Sequence, residues 1–250
     1  MLLGASNLTL AFPLVVDRVR ALVPAPVEVL AAIGHGRSYG RPSRVLVREL
    51  PGILQCGLWR ALDAGPRTET FAVISDLGND LVYGSEVEEI AGWIARILER
   101  IAAHRARTVI VRLPLASVEA LSPLRFRVAR GILYPSHPGD LGRLRDRAVA
   151  LDDRVAALAK ASGAALVDSP GRWYGLDPVH IRGRRRDEAW RAILDPLHNS
   201  DAAAGPPPLA RSDRRALRRT RPEIRRWMGL EQRHTQPCAR LSDGTSVSVY

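Results

Sequence analysis

Among its 37 basic residues the chain has a single lysine, Lys160, so arginine supplies nearly all of its positive charge. Such a skew fits a coding bias that writes arginine wherever a solvated cation will serve, as well as it fits an anionic partner. Cysteine is equally scarce. Cys56 and Cys238 stand far apart with no metal-ligand spacing, which excludes a disulfide framework and a cysteine-based zinc site. No stretch approaches the ~20 apolar residues needed to span a bilayer. The first residues lack a basic segment followed by a longer apolar one, so the sequence as written predicts a cytoplasmic protein. Aromatics make up 5% of the chain, and the basic C-terminal stretch holds only Trp227. That argues against a single-strand nucleic-acid binder, which interleaves aromatics with its cations. There is no internal repeat.

What remains is the composition of a soluble globular protein: 250 residues, 46% hydrophobic, 25% charged, net charge +11. The length can bury one substantial core, with or without an extension.

Taken in order, Met1-Leu2-Leu3 is a short apolar strand ending in the small-residue turn Gly4-Ala5-Ser6, after which a helix runs to about Leu22, where Pro24 and Pro26 break it. Val27 to Ile33 is a strand apolar enough to be buried on both faces, and it runs into the glycine loop Gly34-His35-Gly36-Arg37-Ser38-Tyr39-Gly40. Leu50 to Leu62 is expected to be helical. Thr70 to Ser75 is the third strand, followed by Gly78-Asn79-Asp80. Val87 to His104 keeps the i, i+3, i+4, i+7 rhythm of an amphipathic helix. Thr108 to Leu113 is the fourth strand. The stretch from Leu115 to Gly142, with Pro123, Pro135 and Pro138, reads as irregular cover for part of a cleft. Leu144 to Ala161 is another helix, Ala164 to Asp168 the fifth strand, and Asp187 to Leu194 a closing helix. Alternation at this spacing predicts an α/β protein: a three-layer α/β/α sandwich around a mostly parallel five-stranded sheet.

Residues 1–196 are expected to form this domain. Residues 197–250 read as a Pro-rich linker and an Arg-rich extension, with ten arginines against five acidic residues, or +5 of the chain's +11. Within it Thr220-Arg221-Pro222-Glu223 fits a capping box, with Gly229 placed to end the helix and Leu217, Ile224 and Trp227 apolar. Asp243-Gly244 between short alternating runs predicts a hairpin. The extension is expected to dock on the core or to build a homo-oligomer.

Four loops follow four strand ends, and in a parallel sheet these ends share one edge. Their residue types are complementary. Ser6 is a candidate nucleophile, His180 a candidate base, and Asp177 a carboxylate able to hold the imidazole in the right tautomer. The Ser6 N–H, a loop glycine N–H and the Asn79 amide are candidate donors to an oxyanion. Blander readings stand beside these. Ser6 fits a plain helix N-cap, Asp177 an Asx-turn before Pro178, and Asn79 an ordinary turn residue. Asp80 reads as structural, bonding loop N–H groups, and His35 as a solvated loop histidine. Trp173 and Tyr174 are candidates for lining a substrate pocket or for packing under the loop, and Arg37 for holding an anionic group on the substrate.

Gly4-Ala5-Ser6-Asn7-Leu8, the glycine loop after the second strand, Gly78-Asn79-Asp80 after the third, and Asp177-Pro178-Val179-His180 near the end together resemble the SGNH (GDSL-type) hydrolases over about residues 1–195. The resemblance implies a flavodoxin-like fold and hydrolysis of ester or thioester bonds without a metal or other cofactor. By position it implies Ser6 as nucleophile, His180 as base, Asp177 as orienting partner, and Asn79 with a loop glycine (Gly36 in preference to Gly34) in the oxyanion hole. The chain departs from the family pattern twice. Ala5 replaces the Asp of Gly-Asp-Ser, and Gly78 and Asn79 are adjacent where the family has one residue between them. Substrates of such proteins include carbohydrate, lipid and simple small-molecule esters. Two alternatives stay open: an acyltransferase using the same serine, or a retired scaffold whose basic tail binds nucleic acid or an anionic surface.

Overall fold

The computed structural model describes residues 1–22, 26–123, 140–198 and 207–250. Pro24, Pro135, Pro138 and most of the expected linker lie outside the described residues. The main sheet contains β1 (Leu2–Leu3), β2 (Glu28–Ala32), β5 (Phe71–Ile74), β6 (Arg107–Val111) and β7 (Ala165–Val167), all parallel. Their spatial order β2-β1-β5-β6-β7 is the 2-1-3-4-5 order of a flavodoxin-like sheet.

Strand periodicity sorts the core into two layers. Leu2, Val29, Ala31, Val73, Val109 and Val111 belong to one apolar cluster, whereas Leu3, Leu30, Ala32, Ile74 and Ile110 belong to the other. The first face is covered by α1 (Ser6–Val19) and α7 (Arg186–Leu194). The second is covered by α2 (Leu58–Ala64), α4 (Val87–Ala102) and α6 (Leu141–Ser162). Helix α4 buries Ile90, Ile94, Ile97 and Ile101, one stripe at helical spacing. Helix α6 is bounded by local chemistry: Asp140 accepts the Arg143 N–H at 2.9 Å, and Gly163 closes it at φ +69°. Of the expected irregular stretch, Leu115–Glu119 forms the short α5, and α6 begins at Leu141. Similarly, Leu50 to Leu62 is a 3₁₀ turn (Ile53–Gln55) followed by α2, with Leu50 ending a strand.

The extension is part of this sheet. β10 (Ala239–Arg240) and β11 (Ser246–Val249) form the expected hairpin, with Gly244 at φ +86° in its turn. β11 then pairs in parallel with β2. The boundary at residue 196 therefore does not separate two folding units. The segment after Thr220 also corrects the expected helix. Helix α8 (Arg211–Arg218) stops short, Thr220 donates its hydroxyl to the Leu217 carbonyl, and Ile224–Trp227 is a strand, β8. Partners unread in the sequence explain this. β8 joins β9 (Leu230–Arg233) and the hairpin of β3 (Ser43–Val45) and β4 (Arg48–Leu50) in a second, antiparallel sheet of order β3-β4-β8-β9.

Removing residues 207–250 is expected to leave insoluble or unfolded protein. Leu209, Leu217, Leu241, Val247 and Val249 belong to the core. Full burial of each such side chain is worth roughly 1.5–3 kcal/mol, and five together rival the ~5–15 kcal/mol net stability of a domain. Circular dichroism and gel filtration of residues 1–206 check this. A folded, monomeric fragment would show that the extension is an accessory.

Candidate active site

The turn after β1 delivers Ser6 as the first residue of α1, nearly buried, with Ala5 in the N-cap position and no side-chain cap of its own. The Ser6 hydroxyl is thus not the helix cap. The carboxylate that stands there comes from the end of β5. Asp76 Oδ2 accepts the N–H of Ala5 at 2.7 Å and of Leu8 at 3.3 Å, and its Oδ1 accepts from the Asn7 side chain at 2.7 Å. A carboxylate is well matched to the exposed N–H groups of a helix start. Asp76 holds φ +62°, the left-handed region that Asp tolerates better than most residues. Gly4 leaves no room for a side chain, because a Cβ there would overlap Ser75 Oγ.

Asn7 joins this turn to the loop before α7. Its Nδ2 also donates to the Val179 carbonyl at 2.8 Å, and its Oδ1 accepts the Ile181 N–H at 2.7 Å. The two bonds straddle His180. One side chain therefore fixes the backbone on both sides of the histidine relative to the residue next to Ser6. Neither Asn7 nor Asp76 stood out in the sequence. Their partners lie up to 174 positions away.

In the His180 loop, Asp177 Oδ2 lies 2.6 Å from His180 Nδ1. Asp177 Oδ1 accepts the N–H groups of Val179 at 3.0 Å and His180 at 3.2 Å. The turn-forming and imidazole-orienting readings of Asp177 thus describe two oxygens of one carboxylate. Partial burial pushes the Asp177 carboxyl up, but the bonds from the imidazole and from these N–H groups outweigh it and hold it low. The hydrogen bond to Asp177 raises His180 above the usual histidine value. Burial and Arg186 oppose that, and Asp76 adds to it.

A cavity of about 90 Å³ opens beside Ser6, lined by Asn79, Tyr174 and mostly apolar side chains that include Leu81, Leu113, Val118 and Ile181. Asn79 begins the one-turn helix α3 (Asn79–Val82). Asp80, just after it, is buried and accepts the Tyr39 N–H at 2.9 Å, tying this loop to the glycine loop. Burial raises its carboxyl to about 6. The glycine loop is held from a second side, where the Tyr83 hydroxyl donates to the Gly36 carbonyl at 2.6 Å. Gly36 has φ +61°. Neither Gly34 nor Gly36 is among the residues lining the Ser6 cavity.

Of the candidate substrate contacts, Tyr174 lines the cavity and Trp173 does not. Trp173 is packed in the core, its indole N–H donating to Glu188 at 3.3 Å. Arg37 is a correction to the sequence reading. Its guanidinium is fully buried and donates to the carbonyls of Ile33 and Pro51, both at 3.1 Å, and to that of Tyr250. It bonds the extension to the glycine loop and is not among the residues lining the Ser6 cavity. Among the described residues no group of three or more His, Cys, Asp or Glu side chains has metal-binding geometry.

No protein-family model and no curated protein matches the sequence. Solved structures do match the fold. One crystal structure aligns with a TM-score of 0.52 at 14% identity, over 78% of this chain and 94% of that one. TesA aligns with a TM-score of 0.48 at 17% identity, over 78% of this chain and 98% of its own. The psychrotrophic esterase EstA from Pseudoalteromonas sp., in a structure inhibited by monoethylphosphonate, aligns with a TM-score of 0.45 at 16% identity, over 79% and 98%. The shared fold is α/β, a mostly parallel sheet between helical layers. At such low identities the likeness speaks for the fold alone, and any chemistry has to be argued from the residues of this chain.

Proposed function

We propose that the protein is a serine hydrolase cleaving an acyl ester or thioester. The observation that carries this reading is the coupling of two loops. The Asp177–His180 pair lies in a loop whose backbone is bonded through Asn7 to the turn presenting Ser6. With Nδ1 facing Asp177, His180 is left with Nε2 as the base for the Ser6 hydroxyl. Ser6 Oγ attacks the acyl carbonyl as His180 takes its proton. The oxyanion is met by the Ser6 N–H at the start of α1 and by the Asn79 amide, both of which border the cavity. His180 returns the proton to the departing alcohol or thiol, and a water activated by the same imidazole releases the acid. The apolar cavity beside Ser6 suits the acyl chain. Asp177 holds the tautomer and stabilises the imidazolium.

Turnover of short-chain p-nitrophenyl esters by the wild type and by Ser6→Ala tests the reading directly. Folded protein without turnover, or turnover that survives Ser6→Ala, would contradict it.

The pH profile offers a second check. Only neutral His180 accepts a proton, so kcat/KM rises with pH through the His180 pKa. Pairing with Asp177 places that limb above the ordinary histidine value of about 6.5. In Asp177→Asn the charge is gone. The limb is expected to move to lower pH while the plateau falls by about 10⁴-fold, because the tautomer is no longer enforced. An unmoved limb would mean that another group titrates.

A further inference from the structure

The second sheet ends in two adjacent turns, and both are apolar. Leu46-Val47 joins β3 to β4, Met228-Gly229 joins β8 to β9, and the Met228 N–H donates to the Val47 carbonyl at 2.8 Å, which locks the two tips side by side. Leu46 is 88% exposed, Met228 70%, Leu230 73% and Trp227 42%. They account for four of the eight exposed large hydrophobic residues among those described. Local backbone chemistry does not ask for these residues. Met228 and Gly229 have φ +51° and +83°, and Leu46 has φ +54°, conformations in which Asn, Asp or Gly is the unstrained choice. A leucine and a methionine held there, burying little, break the local rule with no gain to the fold.

Around the tips the charge is one-sided. The sheet carries Arg44, Arg48, Arg225, Arg226 and Arg233 against Glu49 and Glu231. Arg226 pairs with Glu49 and Arg233 with Glu231. Among the described residues no carboxylate pairs with the other three. Arg44 donates to the Leu46 carbonyl, Arg48 to the His35 carbonyl, and Arg225 to Gln232 while lying over the Trp227 ring. An apolar tip flanked by an indole and surplus guanidiniums matches the boundary of an anionic bilayer. There apolar side chains enter the acyl region, tryptophan sits at headgroup level and arginines meet phosphates.

We infer that this double-turn tip docks the protein on an anionic membrane surface. The charge complementarity favours lipid over a second copy of the chain, whose identical arginines would face one another across a two-fold contact. No helix among the described residues is long and apolar enough to cross a membrane, so the docking is peripheral. It is independent of whether Ser6 turns over an ester.

The structure supplies its own reporter. Trp59, Trp93, Trp173 and Trp190 are buried, so an emission change on binding reports Trp227. The test is titration of the full chain with phosphatidylcholine vesicles and with vesicles of phosphatidylcholine and phosphatidylglycerol, read by tryptophan emission and co-sedimentation. The expected result is a blue shift and pelleting with the anionic vesicles only, both reversed by salt. The triple variant Leu46→Ser, Met228→Ser, Leu230→Ser, with unchanged circular dichroism, is expected to bind at least about tenfold more weakly, having lost the apolar area that would enter the bilayer. Failure to bind anionic vesicles overturns the inference. So does equal binding by the triple variant, which would assign adhesion to the chain's general positive charge. A blue shift that follows protein concentration without lipid, alongside a dimer in sedimentation, would give the tip to a second copy instead.

Discussion

Replacing His180 with alanine is expected to lower kcat/KM for a short-chain ester by about 10⁴-fold or more, with the melting temperature nearly unchanged. The size follows from how work is divided in the proposed triad. Without the imidazole, Ser6 has no acceptor for its proton at neutral pH, and a serine hydroxyl alone is a poor nucleophile. The fold should tolerate the change because the local loop is held by other atoms. Asp177 Oδ1 accepts from the backbone N–H groups of Val179 and His180, and Asn7 bonds the main chain on either side of the histidine. An alanine keeps all of these. A loss below about tenfold would mean that His180 is not the base.

The second large effect belongs to Asp76. In Asp76→Ala the N–H groups of Ala5 and Leu8 and one N–H of Asn7 lose their acceptor. Leaving a buried donor unsatisfied costs about 1–3 kcal/mol, so a fall of several degrees or more in melting temperature is expected. The fall in kcat should be larger than stability alone suggests. The same carboxylate fixes the Ser6 turn and, through Asn7, the His180 loop, and a misplacement of about 1 Å can cost about 10²-fold. A merely structural role would lower the amount of folded enzyme and leave the kcat of the folded fraction intact. Asp76→Asn discriminates further, since it tolerates φ +62° and retains one carboxyl-like oxygen, so partial rescue is expected. Asn7→Ala should be strongly non-additive with Asp76→Ala, because both remove the same link.

These two residues also mark where the sequence stopped being legible. The parallel core was readable because its strands are short apolar runs separated by helices of clear period, as in Val87–Ala102. Asp177 and His180 were readable because their interaction is local, three residues apart on one loop. Asp76 and Asn7 act across 68 to 174 positions, and nothing in their immediate neighbours distinguishes them from ordinary strand-end and helix-start residues. The same limit applies to the extension. Thr220 to Gly229 has good helix signals, yet β8 is a strand because Arg48 and Glu49, far upstream, offer it an edge. Those partner strands are themselves three-residue segments with charged side chains and no apolar alternation. Arg37 differs from its sequence expectation for another reason. Arginine is ordinarily a surface residue, and only the converging carbonyls of Ile33, Pro51 and Tyr250 make its burial tolerable.

The most direct measurement is covalent labelling of the folded protein by a fluorophosphonate, with the modified residue located by mass spectrometry. If the turn after β1 presents an activated nucleophile, the wild type carries the label on Ser6, labelling slows markedly in His180→Ala, and Ser6→Ala carries none. A folded wild type that stays unlabelled, or one labelled at another serine with Ser6→Ala unaffected, would contradict the assignment of Ser6, Asp177 and His180 as a working triad.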